Sequence, residues 1–242
     1  MSIVKGKTAI VTGGSKGYGY GIAEALKSGG AEVWITSRNQ DELERAAAKL
    51  GVNAFRADAT RAEDWDRLVK EVTGRSGTVD ILVNNAGGGI KKAPLIEQSD
   101  DEIEASIALN LTAAILGCRR VVPFMKKQKS GTIINVSSVC AREAWPGWSV
   151  YSAAKVGLSL FSRCLYLEVQ DFGVRVTTLI PSWGETDFLT AAVLPQRDPD
   201  TEKKVTKPRE LGDIVVQICE LPGHLEILDL TVLPMVQKIS PM

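Results

Sequence analysis

Thr8-Ala9-Ile10-Val11-Thr12-Gly13-Gly14-Ser15-Lys16-Gly17-Tyr18-Gly19 is the stretch whose reading decides the fold. Its first residues, apolar and partly β-branched, read as a short buried strand. Beyond the glycines, Ile22, Ala23, Ala25 and Leu26 recur at helical spacing until Gly29-Gly30. Strand, glycine-rich turn and helix, in that order, is the context in which bare backbone lets a pyrophosphate approach a helix N-terminus. The same glycines would also serve a tight turn that binds nothing. They fit G-x-S-x-G as well, the strand-to-helix elbow of a nucleophile, here Ser15. That elbow follows a central strand, whereas one strand precedes it here. The sole histidine that could act as its base, His224, falls in a turn near the C-terminus.

Outward from this unit the pattern repeats. Strands are expected over 33–36, 52–57, 79–83, 132–136, 174–180 and 226–233, with amphipathic helices between them. A long helix is expected over 99–127, with Asn110 near its middle and a kink at Pro123. The polar, proline-bearing segment 195–210 reads as a mobile loop, part of a substrate-side loop over about 184–210. Alternation throughout predicts one α/β domain over 1–242, a Rossmann-type doubly wound parallel sheet of about seven strands with helices on both faces.

Within this frame, Ser137-Ser138 follows the β-branched run Thr132–Val136, at the carboxyl end of a buried strand where open sheets bind ligands. Tyr151 and Lys155, four residues apart in an Ala- and Ser-rich helix, share one face. A free phenol titrates near ~10, so bringing it to neutrality takes about 4 kcal/mol. An ammonium at about 4–5 Å supplies about 3–4 kcal/mol at an effective dielectric of about 20. The arrangement predicts a proton-transfer site; on spacing alone it is equally an i,i+4 pair on a solvated helix.

Composition narrows the alternatives. The 242 residues are 44% apolar, enough for a substantial core, and 29 basic residues balance 29 acidic ones, so no long-range field favours nucleic acid or an anionic membrane. No apolar run approaches a membrane span and the N-terminus lacks a signal-peptide core. Four scattered cysteines and a single histidine argue against metal clusters and disulfide scaffolds, so no metal is expected and a reducing, cytoplasmic setting is.

Together these motifs resemble the short-chain dehydrogenase/reductase family over nearly the whole chain. Thr12-Gly13-x-x-x-Gly17-x-Gly19 resembles its cofactor turn and Asn84-Asn85-Ala86-Gly87 its fourth-strand motif, while Asn110, Ser138, Tyr151 and Lys155 fall where the family places its catalytic tetrad. The resemblance implies hydride transfer between a nicotinamide and a small-molecule carbonyl or alcohol. Tyr151 would be the acid/base, Ser138 would hold the oxygen, and Lys155 would bind the ribose and depress the Tyr151 pKa. Asn110 would hold a water that links Lys155 to solvent.

Cofactor contacts are implied at Gly13, Ser15, Lys16, Gly17, Tyr18 and Gly19, at Ser37 and Arg38, at Asp58 and Ala59, at Asn85, Ala86 and Gly87, and at Pro181 and Thr186, with Tyr151 and Lys155 completing the set. Asp58 would meet the adenine and Asn85 the adjacent ribose region. The second strand ends in Ser37-Arg38 with no acid, which points to NADP(H), since Arg accommodates a 2′-phosphate; Lys16 could reach the same phosphate. Trp145, Trp148 and Trp183 are candidate walls of the substrate pocket, or core packing, and Arg142 a candidate partner for a substrate carboxylate.

Two departures stand out: Pro181-Ser182 where Pro-Gly is common, and no Gly-rich ending of the kind found in carrier-protein reductases. The C-terminal Leu221-Pro222-Gly223-His224 and Val232-Leu233-Pro234 resemble instead the branch acting on small hydroxy acids such as serine or 3-hydroxypropionate. Family members pair through the helices matching 99–127 and 151–171, so a homodimer or homotetramer is implied. Ala113, Ala114, Leu116, Gly117, Leu158, Phe161 and Leu165 are the candidate contact residues, and equally candidate core positions. A catalytically idle dinucleotide-binding sensor or scaffold is the alternative from a different class.

Overall fold

The structure, a computed structural model, describes residues 3–88 and 92–238. Gly89, the last glycine of the run after the fourth strand, lies outside the described residues. Strands β1 (Thr8–Thr12), β2 (Glu32–Ser37), β3 (Asn53–Arg56), β4 (Ile81–Asn84), β5 (Gly131–Val136), β6 (Val174–Pro181) and β7 (Asp229–Val232) form one sheet in the order β3-β2-β1-β4-β5-β6-β7. Every neighbouring pair is parallel. Chain order reverses between β1 and β4, which makes the crevice beyond their carboxyl ends the switch point of a Rossmann-type fold.

The two-residue period of the strands sorts the core into two layers. Ala9 pairs with Val33 and Val11 with Ile35, and these four face one way. They pack on helices α1 (Gly17–Ser28) and α2 (Gln40–Leu50) through Ile22, Leu26 and Leu43. Ile10 and its partner Trp34 face the other way, onto α3 (Ala62–Ser76) through Trp65, Leu68 and Val72. The inner strands are buried on both faces, and for that reason they read as unbroken apolar runs.

The stretch expected as one kinked helix divides into α4 (Asp100–Ile107), a π-helical turn Ala108–Thr112 and α5 (Ala113–Gln128). The irregularity falls at Asn110, not Pro123, which lies inside α5. Asp100–Gln128 is long and apolar enough by composition to cross a membrane, contrary to the reading by apolar runs. In the fold, its Ala113, Cys118, Val121 and Met125 are buried in the monomer core and Gly117 lies against Trp65. Ala114, Leu158 and Leu165 are buried in the same monomer, with Leu158 and Leu165 on α6 (Ser149–Val169), and Leu116 and Phe161 pack on that core. Five of the seven candidate contact residues are therefore fully buried within the monomer, and Leu116 and Phe161 are partly so. The apolar side chains that α6 exposes are Val156, Leu160 and Leu167.

Residues 195–210 are more ordered than their polar composition suggests. Two short helices, α7 (Phe188–Ala191) and α8 (Pro199–Glu202), precede α9 (Pro208–Cys219), and Gly184 bridges to Thr206. Helix α9 docks on α1 backbone to backbone. A Cβ on Gly21 would run into the Pro208 carbonyl, and one on Gly212 into the Gly21 carbonyl. Two glycines at the crossing give the closest approach two helices can make. That contact fixes the far end of the 184–210 segment beside the glycine turn.

Candidate active site

The glycine turn is built by backbone conformation. Gly13 (φ 64°) and Gly17 (φ 54°) occupy the left-handed region that side chains disfavour. A hydroxyl and an amide brace the turn against the end of β4. The Thr12 hydroxyl donates to the Val83 carbonyl (3.4 Å) and accepts from the Asn85 and Ala86 N–H groups (3.0 Å each). The Asn85 amide donates to the Thr12 and Gly13 carbonyls at 3.0 and 3.2 Å. The Asn85 amide nitrogen is thus committed to holding the turn, while the residue still lines the cavity. Helix α1 begins after Lys16 with no side-chain cap and no acid in its first turn, which leaves its N-terminal N–H groups and their partial positive charge for an anion. This cradle fits the pyrophosphate of a dinucleotide.

Ser37 and Arg38 line the same cavity, about 610 Å³ in volume, and so do Asp58 and Ala59. Asp58 accepts from the Thr60 N–H and hydroxyl at 2.9 and 2.7 Å, which fixes the β3 end. Arg38 has no carboxylate partner among the described residues, and the Arg56 guanidinium donates to its carbonyl at 3.2 Å. Lys16 lines the cavity too, and its exposed ammonium pairs with Asp187 at 3.0 Å, across to the segment after β6. The Tyr18 hydroxyl also crosses, donating to the Ser182 carbonyl at 3.1 Å, and burial pushes its pKa up to about 12.

Ser138, Tyr151 and Lys155 come together at the carboxyl end of β5, as the spacing predicts. Ser138 and Tyr151 line the cavity side by side, and the Ser138 hydroxyl accepts from the Cys140 N–H at 3.2 Å. Tyr151 is 5% exposed and Lys155 3%. The Lys155 ammonium donates to the Val136 carbonyl at 2.9 Å and lies 5.8 Å from the Tyr151 ring centre. Asn110 arrives from the π turn: its amide oxygen accepts from the Gly88 N–H at 2.8 Å and its amide nitrogen donates to the Ser106 carbonyl at 3.1 Å. A Cβ on Gly87 would stand 3.0 Å from both the Asn110 oxygen and the Lys155 nitrogen, so a larger residue here would crowd these two around the β4 turn.

The electrostatics reverse one sequence expectation. Burial raises the Tyr151 phenol well above its ordinary value, and the neighbouring Ser138 hydroxyl only partly opposes it. Burial also lowers Lys155 to about 8. Desolvation therefore outweighs the attraction between ammonium and phenolate, because the same dry pocket penalises both charges. The expectation that Lys155 brings the phenol down treated the pair as if it stood in a more polar medium.

An aromatic box covers this point. Trp148 stands 5.4 Å from Tyr151 and stacks on Phe188 at 5.7 Å, and Trp145 lines the cavity beside them. Trp183 lines it too, half-exposed, under the Arg197 guanidinium at 5.0 Å. Pro181 and Thr186 complete the rim. Phe188, Leu194, Arg197, Lys92 and Cys140 were not anticipated. Cys140 carried the signal of standing two residues after Ser138; the others arrive through long-range folding of segments with no motif. Arg142 does not line the cavity and pairs with Asp229 at 2.9 Å, so it is not available to a substrate carboxylate. Ser15 lines the cavity but His224 is exposed elsewhere, which removes the hydrolase reading.

A family model described as short chain dehydrogenase matches residues 7–196. An uncharacterized oxidoreductase of Staphylococcus aureus (strain MRSA252) is 29% identical over 237 residues, covering 97% of this chain and all of that one. Among solved structures, an alcohol dehydrogenase of the archaeon Thermococcus sibiricus complexed with 5-hydroxy-NADP superposes with a TM-score of 0.86 at 27% identity, covering 97% of this chain and 99% of that one. A serine dehydrogenase complexed with NADP+ gives 0.88 at 26% identity, covering 97% and 98%. With a parallel sheet in this order, a glycine turn at its switch point and a family match over most of its length, the chain belongs to the short-chain dehydrogenase family of oxidoreductases.

Proposed function

We propose that this protein interconverts a carbonyl and a secondary alcohol at the expense of NADP(H), with Tyr151 as the general acid and base. The observation that carries the reading is the meeting of Ser138 with the buried Tyr151 and Lys155 on one cavity floor, shared by the glycine turn and the aromatic box. When bound, the nicotinamide supplies the hydride to the carbonyl carbon or takes it from the alcohol. In reduction, Tyr151 gives its proton to the carbonyl oxygen, and Ser138 holds that oxygen by hydrogen bond. The raised phenol suits this direction, because the acid stays loaded at neutral pH. Lys155, anchored on the Val136 carbonyl, meets the ribose and supplies positive charge when Tyr151 gives up its proton. Asn110 holds the Gly87-Gly88 turn against Lys155, where a water would join the ammonium to solvent. Catalytic idleness is the competing reading, and turnover of any ketone by purified protein excludes it.

Tyr151→Phe keeps the ring that packs on Trp148 and removes only the proton. Turnover should fall by about 10²–10⁴-fold while cofactor affinity, read by fluorescence quenching, stays within a few-fold. Retention of more than about a tenth of the rate refutes the acid/base role.

The phosphorylated cofactor is assigned on Arg38, which carries no carboxylate partner among the described residues, and on the absence of an acid at the end of β2. The NADP-type ligands of the two solved relatives support it. A charge-assisted contact contributes about 1.5–3 kcal/mol, or roughly 10- to 150-fold in preference. Catalytic efficiency with NADPH should exceed that with NADH by this factor, and Ser37→Asp/Arg38→Ala should reverse it. An unmoved ratio refutes the assignment.

Assembly of copies belongs to the same proposal, through the α6 face that exposes Val156, Leu160 and Leu167. Light scattering at micromolar concentration should give a dimer or tetramer; a monomer mass rejects it.

Lys155 also sets a pH dependence. Its pKa is about 8 in the folded protein against an ordinary 10.5. Below 8 both folded and unfolded chains carry the charge, and the fold bears the cost of burying it. Between 8 and 10.5 the unfolded chain binds more protons, so stability from this group rises with pH. Tyr151 acts with the opposite sign and erodes stability above about pH 10, where unfolded phenols ionise. The unfolding free energy of Lys155→Met minus that of wild type, from urea titrations without cofactor, should therefore fall by about 2–3 kcal/mol between pH 7 and 10. A difference that is flat across this range contradicts the buried-cation account.

A further inference from the structure

The charged side chains at the substrate end of the cavity are of one effective sign. Lys92 and Arg197 line it, and so does one carboxylate, Asp187, which Lys16 neutralises at 3.0 Å. The remaining lining acid, Asp58, lies at the opposite end, beyond the tip of β3. Arg197, 11% exposed, is occupied by Glu202 at 2.8 Å and by the face of Trp183. Lys92 is exposed and has no carboxylate partner among the described residues. Its backbone is fastened to both walls of the aromatic box. The Lys92 N–H donates to the Ala192 carbonyl at 3.4 Å, and the Ala93 N–H to the Gly147 carbonyl at 3.3 Å. Ala192 packs with Trp148 and Tyr151. Gly147, at φ 83°, lacks the Cβ that would come within 2.9 Å of the Lys92 Cγ, so the lysine stem lies across the turn between Trp145 and Trp148. A cation is thus placed at the rim of an apolar aromatic chamber, with no carboxylate paired to it among the described residues.

We propose that the substrate is an oxo acid with an aromatic or bulky apolar body: the body fills the box of Trp145, Trp148 and Phe188, and its carboxylate docks on Lys92. The inference rests on the carbonyl–alcohol reading above and adds the substrate class. In reduction the carbonyl carbon takes a hydride from NADPH and its oxygen a proton from Tyr151, while the carboxylate passes through unchanged. Lys92 is a binding residue in this account, apart from the chemistry. Lys92, which lines the cavity, thus takes the carboxylate role that the sequence offered to Arg142.

The test compares benzoylformate, phenylpyruvate and 3-oxo-3-phenylpropanoate with their methyl esters, which keep body and carbonyl and remove the charge. Binding to NADP+-saturated protein is read from tryptophan fluorescence, and reduction separately with NADPH. The acids should bind at least about 10-fold more tightly than their esters at low salt, with the gap narrowing as ionic strength rises. Lys92→Gln should collapse the acid-to-ester ratio, and Lys92→Arg should restore most of it. Equal affinity for acid and ester overturns the proposal, as does no binding of either, or a ratio that survives Lys92→Gln. Acids that bind through Lys92 yet are not reduced leave this inference standing and overturn the reaction proposed above.

Discussion

The hydrogen bonds between Thr12 and the Asn85-Ala86 turn hold together the two halves of the sheet at the point where strand order reverses. One hydroxyl serves three backbone groups, and the Asn85 amide returns the favour to the Thr12 and Gly13 carbonyls. Every functional group described above is placed relative to this brace. On one side it fixes the glycine turn and the open start of α1. On the other it fixes Gly87 and Gly88, which in turn receive Asn110 and leave room for Lys155. A buried polar network of this kind is stable only when each member is satisfied, so it acts as a rigid frame.

That frame supports an expensive centre. Lys155 is a nearly inaccessible cation whose one protein acceptor is a strand-end carbonyl, and Tyr151 is a buried phenol beside it. Neither residue is placed for stability. The fold bears the desolvation of both because two well-packed layers on the sheet supply far more apolar burial than the site removes. The π turn at Asn110 is a similar local concession, in which one shifted backbone hydrogen bond, from the Ala113 N–H to the Ala108 carbonyl, re-aims a side chain into the site.

Local patterns in the sequence carried most of this. The strands were legible because a parallel sheet buried on both faces leaves uninterrupted β-branched runs, and Tyr151 with Lys155 because helical spacing is fixed. What failed depended on partners distant in sequence. Arg142 reads as free for a carboxylate until β7 brings Asp229 to it, and the pairing of Lys16 with Asp187 likewise needs the segment after β6. Ala113, Leu158 and Leu165 carry the apolar pattern of a helix face, but periodicity does not say whether sheet or second copy covers it. Phe188 and Lys92 belong to no motif at all. The sign of the Tyr151 shift required knowing how dry the pocket is, which spacing cannot tell.

The ion pair between Lys16 and Asp187 joins the two lips of the cavity. With side chains 58% and 65% exposed, such a pair contributes about 0–1 kcal/mol, comparable to thermal energy. Water competes for both charges at all times. The ion pair is therefore a latch that yields to ordinary thermal motion, while the part-buried Tyr18 hydroxyl, bonded to the Ser182 carbonyl, keeps the lips in register when it opens.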